Sequence, residues 1–227
     1  MTISELLQDE RIRRTLADHY RSGVAAAVRG YLDSAADEDA LTGALGQALR
    51  GQGELAMPDG RVVRWATRHR RLRGPGRNAP EKHLGADGLL EVEMEDEERD
   101  RSRKSWPFQA TNAAAGYGDS LLRGQAKRLS AFPGGGVVIN YRSGGYVAVD
   151  AGLVAEGEAT RNSEVPLADA LAEHFVGCRS GSTAYMFEPS VGGVLLVHGS
   201  FLMVRRWLPR HRIRTTLRVG DAGEDKA

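Results

Sequence analysis

A carboxylate, a carboxamide and an ammonium group stand in this sequence at spacings that suit phosphodiester chemistry. Asp87 follows Gly85 and Ala86 at the start of an apolar run, and Gln125 stands two residues before Lys127. Side chains two residues apart on a β-strand share a face. If both segments are neighbouring strands, we expect the carboxylate, the amide and the ammonium to meet at one point.

These groups predict a site for a divalent cation. Hard cations prefer oxygen ligands, which the Asp87 carboxylate, the Gln125 side chain and the backbone carbonyl of Ala126 would supply. The cation would lower the pKa of a bound water, and Lys127 would orient that water or stabilise developing negative charge. The alternative is structural, with Asp87 capping a turn and Lys127 extending from a strand edge into solvent, and short motifs alone do not decide between the two.

Two glutamates are further candidates for the same site. Glu38 precedes Leu41 by three residues and Leu45 by seven, so we expect it on the apolar stripe of its helix. A carboxylate that points inward is costly unless it is paired or binds a cation, but the helix dipole also favours an acid in the first turn. Both interpretations of Glu38 stay open. Glu91 shares a strand face with Asp87, and we expect it near the cation.

Taken together, these segments resemble the PD-(D/E)xK nuclease superfamily in the variant that has Gln in place of the acid of the (D/E)xK element. The residues that carry the resemblance are Glu38, Leu41, Thr42 and Leu45 on a helix, Gly85-Ala86-Asp87 before a strand, and Leu121 to Lys127. The resemblance covers roughly residues 35–150. It departs from the family pattern at Ala86, where the family has Pro, and at Gln125, which removes one negative charge.

The resemblance implies a fold, a cofactor and a role for each residue. It implies a four-stranded mixed sheet flanked by helices, and Mg²⁺-dependent cleavage of DNA, with Mn²⁺ as a substitute ion. Asp87 would be the central metal ligand and Gln125 the second ligand. Lys127 would be the catalytic lysine, and Glu38 the acid from the first core helix.

The charges of the chain are balanced in number but separated along the sequence. There are 31 Lys+Arg against 30 Asp+Glu, yet residues 61–77 contain seven Arg and no acid, residues 91–100 contain seven acids, and residues 205–218 contain six Arg and no acid. Arginine suits phosphate contacts, although a solvated basic face is the plainer alternative. The residues predicted to contact nucleic acid are Arg64, Arg68, Arg70, Arg71, Arg73 and Arg128. The acidic run would repel DNA if it lay exposed beside the site, so we expect it to bind metal and pair with arginines, or to face away.

Other classes of protein are excluded by what the sequence lacks. The single cysteine, Cys178, excludes a disulfide scaffold, and the six histidines show no zinc-binding spacing. No apolar stretch approaches the roughly 20 residues that a membrane helix needs, so we expect a cytoplasmic protein without a membrane partner.

Patterns of apolar residues predict the elements that must position these groups. We expect an α/β (α+β) fold with a restriction-endonuclease-like mixed central β-sheet flanked by helices, a helical N-terminal region, and a single domain over 1–218 followed by a disordered tail over 219–227. Residues 95–118 are expected to be an irregular insertion or a surface helix. The predicted elements are helices at 1–33, 35–50 and 166–176, and strands at 61–69, 89–94, 121–129, 137–141, 146–149, 182–188 and 194–204.

These inferences lead to two classes of function. The first is a metal-dependent DNA nuclease, an effector in a prokaryotic restriction or anti-phage defence system, acting as a homodimer or as a subunit of a multi-protein defence complex. The second is a non-catalytic nucleic-acid-binding module or structural subunit that keeps the same fold with a degenerate site.

Overall fold

The computed structural model describes residues 3–35, 37–72, 85–95, 101–112, 116–177, 179–188, 193–198, 201–205 and 209–221. Arg73, Cys178 and residues 222–227 lie outside this described part. The last strand continues to Asp221, three residues into the segment expected to be a tail. Val219 and Gly220 are buried in the sheet.

The N-terminal region is helical, as the sequence predicts. Asp9 accepts hydrogen bonds from the backbone N–H groups of Arg11 and Ile12 and so begins the long second helix. Asp37 begins α4 in the same way. None of the described helices is both long and apolar enough to cross a membrane. The helices are α1 (Ile3–Leu6), α2 (Glu10–Arg29), α3 (Tyr31–Ser34), α4 (Glu38–Ala48), α5 (Ser120–Ser130), α6 (Ala151–Glu156) and α7 (Leu167–Asp169), with α7 continuing into a π-helical segment at Ala170–Val176.

Eight strands of the described chain form one mixed sheet, in the order β1-β2-β11-β3-β4-β5-β6-β7. The pairs β11–β3 and β4–β5 are parallel and the other neighbours are antiparallel. A second sheet has the order β10-β9-β8. The strands are β1 (Gly51–Ala56), β2 (Arg61–Arg71), β3 (Gly88–Glu95), β4 (Arg101–Thr111), β5 (Val137–Asn140), β6 (Val147–Asp150), β7 (Val165–Pro166), β8 (Tyr185–Glu188), β9 (Gly193–His198), β10 (Phe201–Arg205) and β11 (His211–Asp221).

The mixed sheet flanked by helices confirms the predicted fold class, but one prediction inside it is wrong. Residues 101–111, expected to be irregular or helical, form β4 at the centre of the sheet. The first residues of β4 are charged, yet they belong to the sheet, because Arg103 pairs with the buried Glu93 and Lys104 donates a hydrogen bond to the buried carbonyl of Phe175. Tertiary partners therefore permit charged residues in a strand that local composition assigns to the surface.

The segment 121–129 is the second error, since it forms helix α5 and not a strand. Leu122, Ala126 and Leu129 are buried at helical spacing, four and three residues apart. Asp119 accepts a hydrogen bond from the backbone N–H of Leu122 at 2.8 Å and caps the helix. Both signals are present in the sequence and indicate a helix.

The sheet separates two apolar layers. On one face, β2, β3 and β11 pack against α2 and α4 through residues such as Leu16, Leu45, Val92 and Leu217. On the other face, α5 and α6 pack over Leu89 and Val138, among other apolar residues. The second sheet also lies on this second face, where the Tyr185 hydroxyl donates to the carbonyl of Ser105 at 3.0 Å.

Candidate functional site

Asp87 lies immediately before β3 and is held by backbone bonds on both sides. Its N–H donates to the carbonyl of Phe108 at 2.9 Å, and its own carbonyl accepts from the N–H of His211 at 3.1 Å. These bonds tie the residue to β4 and β11, the two strands that border β3. The main chain therefore fixes the position from which the Asp87 carboxylate projects.

The amide beside the Asp87 carboxylate belongs to Gln109 and not to Gln125. Oδ2 of Asp87 accepts hydrogen bonds from the side-chain nitrogen of Gln109 and, at 2.9 Å, from the backbone N–H of Ala110. Gln109 is buried near the end of β4, which pairs directly with β3. Gln109 is not among the residues predicted for the site, since residues 95–118 were expected to be irregular or a surface helix, although Trp106, Phe108 and Ala110 alternate at strand spacing.

Glu38 reaches the same end of β4 from the other layer. It is the first residue of α4, and its Oε1 accepts from the backbone N–H of Asn112 at 3.0 Å. Leu41 and Leu45 anchor this helix in the core, as the apolar stripe predicts. Glu38 is half-buried and has a polar partner. It is therefore both an acid in the first turn of its helix and a carboxylate that points inward.

The two carboxylates therefore converge on neighbouring main-chain groups. Asp87 binds the N–H of Ala110, and Glu38 binds the N–H of Asn112, two residues further along the chain. Two residues of extended chain span about 7 Å. A helix N-terminus and a strand start thus bring two carboxylates to one edge of the sheet.

Tyr141 lies close to both carboxylates and was not identified from the sequence. Its hydroxyl and that of Thr42 form a hydrogen bond of 3.0 Å, and its backbone N–H donates to the carbonyl of Thr111 at 2.8 Å. Burial raises the pKa of Tyr141 well above its usual range, and the nearby charges of Asp87 and Glu38 raise it further. The phenol therefore stays protonated.

A row of polar side chains continues from Gln109 across the sheet. Thr111 stands two residues after Gln109 on the same strand face and pairs in register with Asn140 of β5. Thr111 and Asn140 are buried. Thr111, and not a lysine, therefore stands two residues after Gln109 on this face of β4.

Gln125, Ala126 and Lys127 lie on α5, and the premise that they occupy a strand beside Asp87 is wrong. The backbone carbonyl of Ala126 lies inside the helix, where the main chain uses it, so it is not a metal ligand. The side chains of Gln125 and Lys127 make no hydrogen bond or ion pair with any residue that the structure describes, and Lys127 is exposed. The backbone of Gln125 does pack against Gly85, two residues from Asp87.

Glu91 is committed to another partner and does not share a site with Asp87. It lies four residues along β3, about 13 Å away in extended chain. Its carboxylate accepts from the Arg212 guanidinium and, at 3.0 Å, from the backbone N–H of Phe187. Glu91 is 1% exposed and Arg212 is 7% exposed, so the two form a buried ion pair. The expectation that Glu91 binds the cation is therefore replaced by a structural role.

The arginines predicted to contact nucleic acid divide between different surfaces. Arg64, Arg68 and Arg70 alternate along β2 and share one face, whereas Arg71 turns to the opposite face and binds Asp39. Arg128 is exposed on α5. Arg73 lies outside the described residues.

Beside Glu38, four residues form a charged cluster that ties α4 to the sheet, and we call it the Asp39 cluster: Asp39, His69, Arg71 and His211. Nε2 of His211 donates to Asp39 at 2.7 Å, and Nε2 of His69 donates to Nδ1 of His211 at 3.0 Å. The Arg71 guanidinium also binds Asp39. The cluster joins the helix residue next to Glu38 to β2 and β11.

The Asp39 cluster predicts a loss of stability in mild acid. Burial, and then the nearby charges of His211, Arg50 and Arg71, lower the pKa of His69 to about 4, only partly offset by Asp39. Burial also lowers the pKa of His211, although Asp39 opposes that effect. Because the unfolded chain binds these protons below about pH 6.5 and the folded chain does not, stability falls as the pH drops from about 6.5 to about 4.

We expect the free energy of unfolding to fall by about 2 kcal/mol across this window in urea titrations, allowing for the partial exposure of His69. In His69→Gln the pH dependence should be smaller, whereas His174→Gln, outside the cluster, should behave as the parent protein does. An equal pH dependence in the His69→Gln and parent proteins would contradict the assignment.

The donor set at the edge of β4 fits a hard cation with few protein ligands. Among the described residues, no group of three or more His, Cys, Asp and Glu side chains is arranged to hold a metal. A cation would therefore depend on the carboxylates of Glu38 and Asp87, the oxygen of Gln109 and water. Oε2 of Glu38 accepts no hydrogen bond from the described residues, so it is available as a ligand.

Comparison with known proteins identifies no relative of this chain, so its function is inferred from the geometry of this edge of the sheet. No family model, no curated protein and no solved structure matches it.

Proposed function

We propose that this protein is a Mg²⁺-dependent nuclease that hydrolyses DNA phosphodiester bonds, with its centre at Glu38, Asp87 and Gln109. One observation carries the proposal. Two carboxylates from separate elements bind the main-chain N–H groups of Ala110 and Asn112, with a carboxamide against one of them. Paired acids held at a sheet edge are suited to binding a divalent cation and, through it, a phosphate.

The chain's own residues would hold and orient the reacting groups. Asp87, Glu38 and the Gln109 side-chain oxygen would hold Mg²⁺, which when bound acidifies water and neutralises phosphate charge. The N–H of Ala110 fixes the orientation of the Asp87 carboxylate. Tyr141, neutral and buried, excludes water from one side of the acids.

Lys127 is proposed as the residue that orients the attacking water from the neighbouring helix. The support is that α5 packs against Gly85, close to Asp87, and that Thr111 follows Gln109 on β4 where an ammonium group would be needed. An effector role in restriction or anti-phage defence, as a homodimer or within a larger complex, is also part of the proposal. That part rests on the resemblance alone.

A second candidate is a DNA-binding protein of the same fold without catalysis. It is favoured by Thr111 at the lysine position and by the two N–H groups already bound to Asp87. The two candidates differ in whether the centre cleaves DNA when Mg²⁺ or Mn²⁺ is supplied.

Cleavage of supercoiled plasmid with Mg²⁺ or Mn²⁺ tests the proposal. We expect Asp87→Asn and Gln109→Ala to reduce the cleavage rate by at least about 100-fold, because each removes a ligand oxygen or its orientation. Lys127→Ala should also reduce the rate.

The control is Asp18→Asn, which changes an exposed acid on α2 and should retain the parent rate. Circular dichroism should show that every variant is folded. Normal DNA binding with no cleavage by the parent protein under either metal would reject the nuclease and leave the second candidate.

A further inference from the structure

The two arginine-rich segments of the sequence meet in the structure as neighbouring strands. β2 and β11 pair antiparallel over eleven residues each, and their arginines stand opposite one another in register. The three pairs are Arg70 with Arg212, Arg68 with Arg214, and Arg64 with Arg218. We call these six residues the arginine ladder.

All six residues lie on one face of the sheet. The alternate positions of the same strands, among them Val63, Thr67 and Leu217, are buried against the layer of α2 and α4. Side chains alternate between the faces of a strand, so the arginines project from the opposite face. The alternation of both strands therefore produces a basic row, which Ala66 and Thr216 interrupt once.

Acids on the neighbouring strand neutralise only one side of the ladder. Glu91, Glu93 and Glu95 of β3 pair with Arg212, Arg214 and Arg218 of β11, in that order. These three acids of the run are therefore paired with the arginines of β11.

The β2 side of the ladder keeps its positive charge. Arg68 and Arg70 are exposed and make no ion pair with any residue within the described ranges. Arg64 already has partners, among them Glu54 at 4.0 Å. Arg68 and Arg70 are thus where an anionic partner gains most.

The ladder also has a direction relative to the candidate centre. Arg212 pairs in register with Leu89, two residues after Asp87 on β3, and Arg70 lies opposite Arg212. The remaining pairs continue away from Asp87 along the strands. Six residues of strand span about 20 Å, so the row extends from the edge that carries Asp87 toward the far end of the sheet.

We propose that the β2 side of the arginine ladder is the surface that holds the sugar-phosphate backbone of duplex DNA and leads it to the candidate centre, since Arg212 on the β11 side is buried with Glu91. Guanidinium groups bind phosphate oxygens through paired hydrogen bonds, and Arg68 and Arg70 on β2 stand about 7 Å apart. An extended row about 20 Å long matches the repeating charge of a polymer better than it matches a single phosphate. The inference takes DNA from the proposed function but does not depend on cleavage.

Binding to a fluorescent 30-base-pair duplex in EDTA, between 50 and 200 mM KCl, tests this surface. We expect Arg68→Ala with Arg70→Ala to weaken binding at least tenfold. The slope of log affinity against log salt should become shallower by about 1.8, since each phosphate contact contributes about 0.9. Arg13→Ala with Arg14→Ala is the matched control, because both arginines are exposed on α2 in the opposite layer.

The outcomes separate this inference from the nuclease proposal. Four results would each overturn the ladder assignment: retained DNA affinity in the ladder double variant, an equal loss of affinity in the control, no binding of DNA by the parent protein in EDTA, or a preference of the parent protein for anionic phospholipid vesicles over DNA. Binding that depends on the ladder and is unchanged in Asp87→Asn supports it, even if no metal gives cleavage. Cleavage that needs Asp87 but not Arg68 and Arg70 would support the centre and reject the ladder.

Discussion

Replacing Glu91 by alanine is expected to lower the free energy of unfolding by about 3–5 kcal/mol. Glu91 and Arg212 form an ion pair that the second sheet covers, and the Phe187 ring lies 4.5 Å from the guanidinium carbon of Arg212. Removing the carboxylate leaves a positive charge buried without its partner and also frees the backbone N–H of Phe187. Both losses fall on the folded state alone.

Urea denaturation of matched variants measures this effect. Glu95→Ala removes the exposed pair with Arg218 on the same strand face and should cost less than about 1 kcal/mol. The double variant Glu91→Leu with Arg212→Leu should recover much of the loss, because an apolar replacement leaves no unpaired charge. A loss below about 1 kcal/mol in Glu91→Ala would show that the pair is not buried in solution.

Replacing Gly85 by alanine is expected to destabilise the protein by about 3 kcal/mol, from left-handed backbone strain together with a steric clash. Gly85 has φ of 72°, and an added Cβ would lie 2.2 Å from the backbone carbonyl oxygen of Gln125. Because this oxygen belongs to the backbone of a packed helix, no side-chain rotation relieves the contact. The helix must move, and Asp87 lies two residues away.

Gly124→Ala is the matched control because it lies on the same helix, one residue from the clash. No atom lies within 4 Å of a Cβ at Gly124, and alanine is the better helix former there. We therefore expect Gly124→Ala to raise the free energy of unfolding by about 0.5–1 kcal/mol. Equal stabilities for the two variants would contradict the close packing of α5 on Gly85.

Local patterns were sufficient for the elements whose apolar residues follow one clear period. The helix of Leu41 and Leu45, the strand that starts after Asp87 and the hairpin after residue 137 were predicted within a few residues. Local patterns were insufficient for β4. Its Arg103 and Lys104 suggest an exposed segment, because their partners, Glu93 and the carbonyl of Phe175, lie far away in the sequence. Charge in a central strand is compatible with burial only when its partners are known.

The residues of the candidate site were likewise predicted only in part from local patterns. The sequence contains Gln-Ala three times, at Gln47-Ala48, Gln109-Ala110 and Gln125-Ala126, and a lysine two residues after Gln125 makes the last pair the best local match. Pairing of β4 with β3 selects Gln109-Ala110, because it brings Gln109 against Asp87. Asp87 and Glu38 were identified in advance, since each is an acid at the edge of an apolar segment.

The sequence by itself determined which residues are acids and arginines, how they are separated along the chain, and which face of each periodic element is apolar. Only the tertiary structure decided that two distant arginine segments pair in register and that Glu91 neutralises Arg212. The reason is that periodicity is a local property, whereas strand order and register depend on contacts between residues far apart in the chain. The chain as a whole is nearly neutral, but its charges are separated on this face of the sheet: the arginines of β11 are paired with acids, whereas the β2 side is positive.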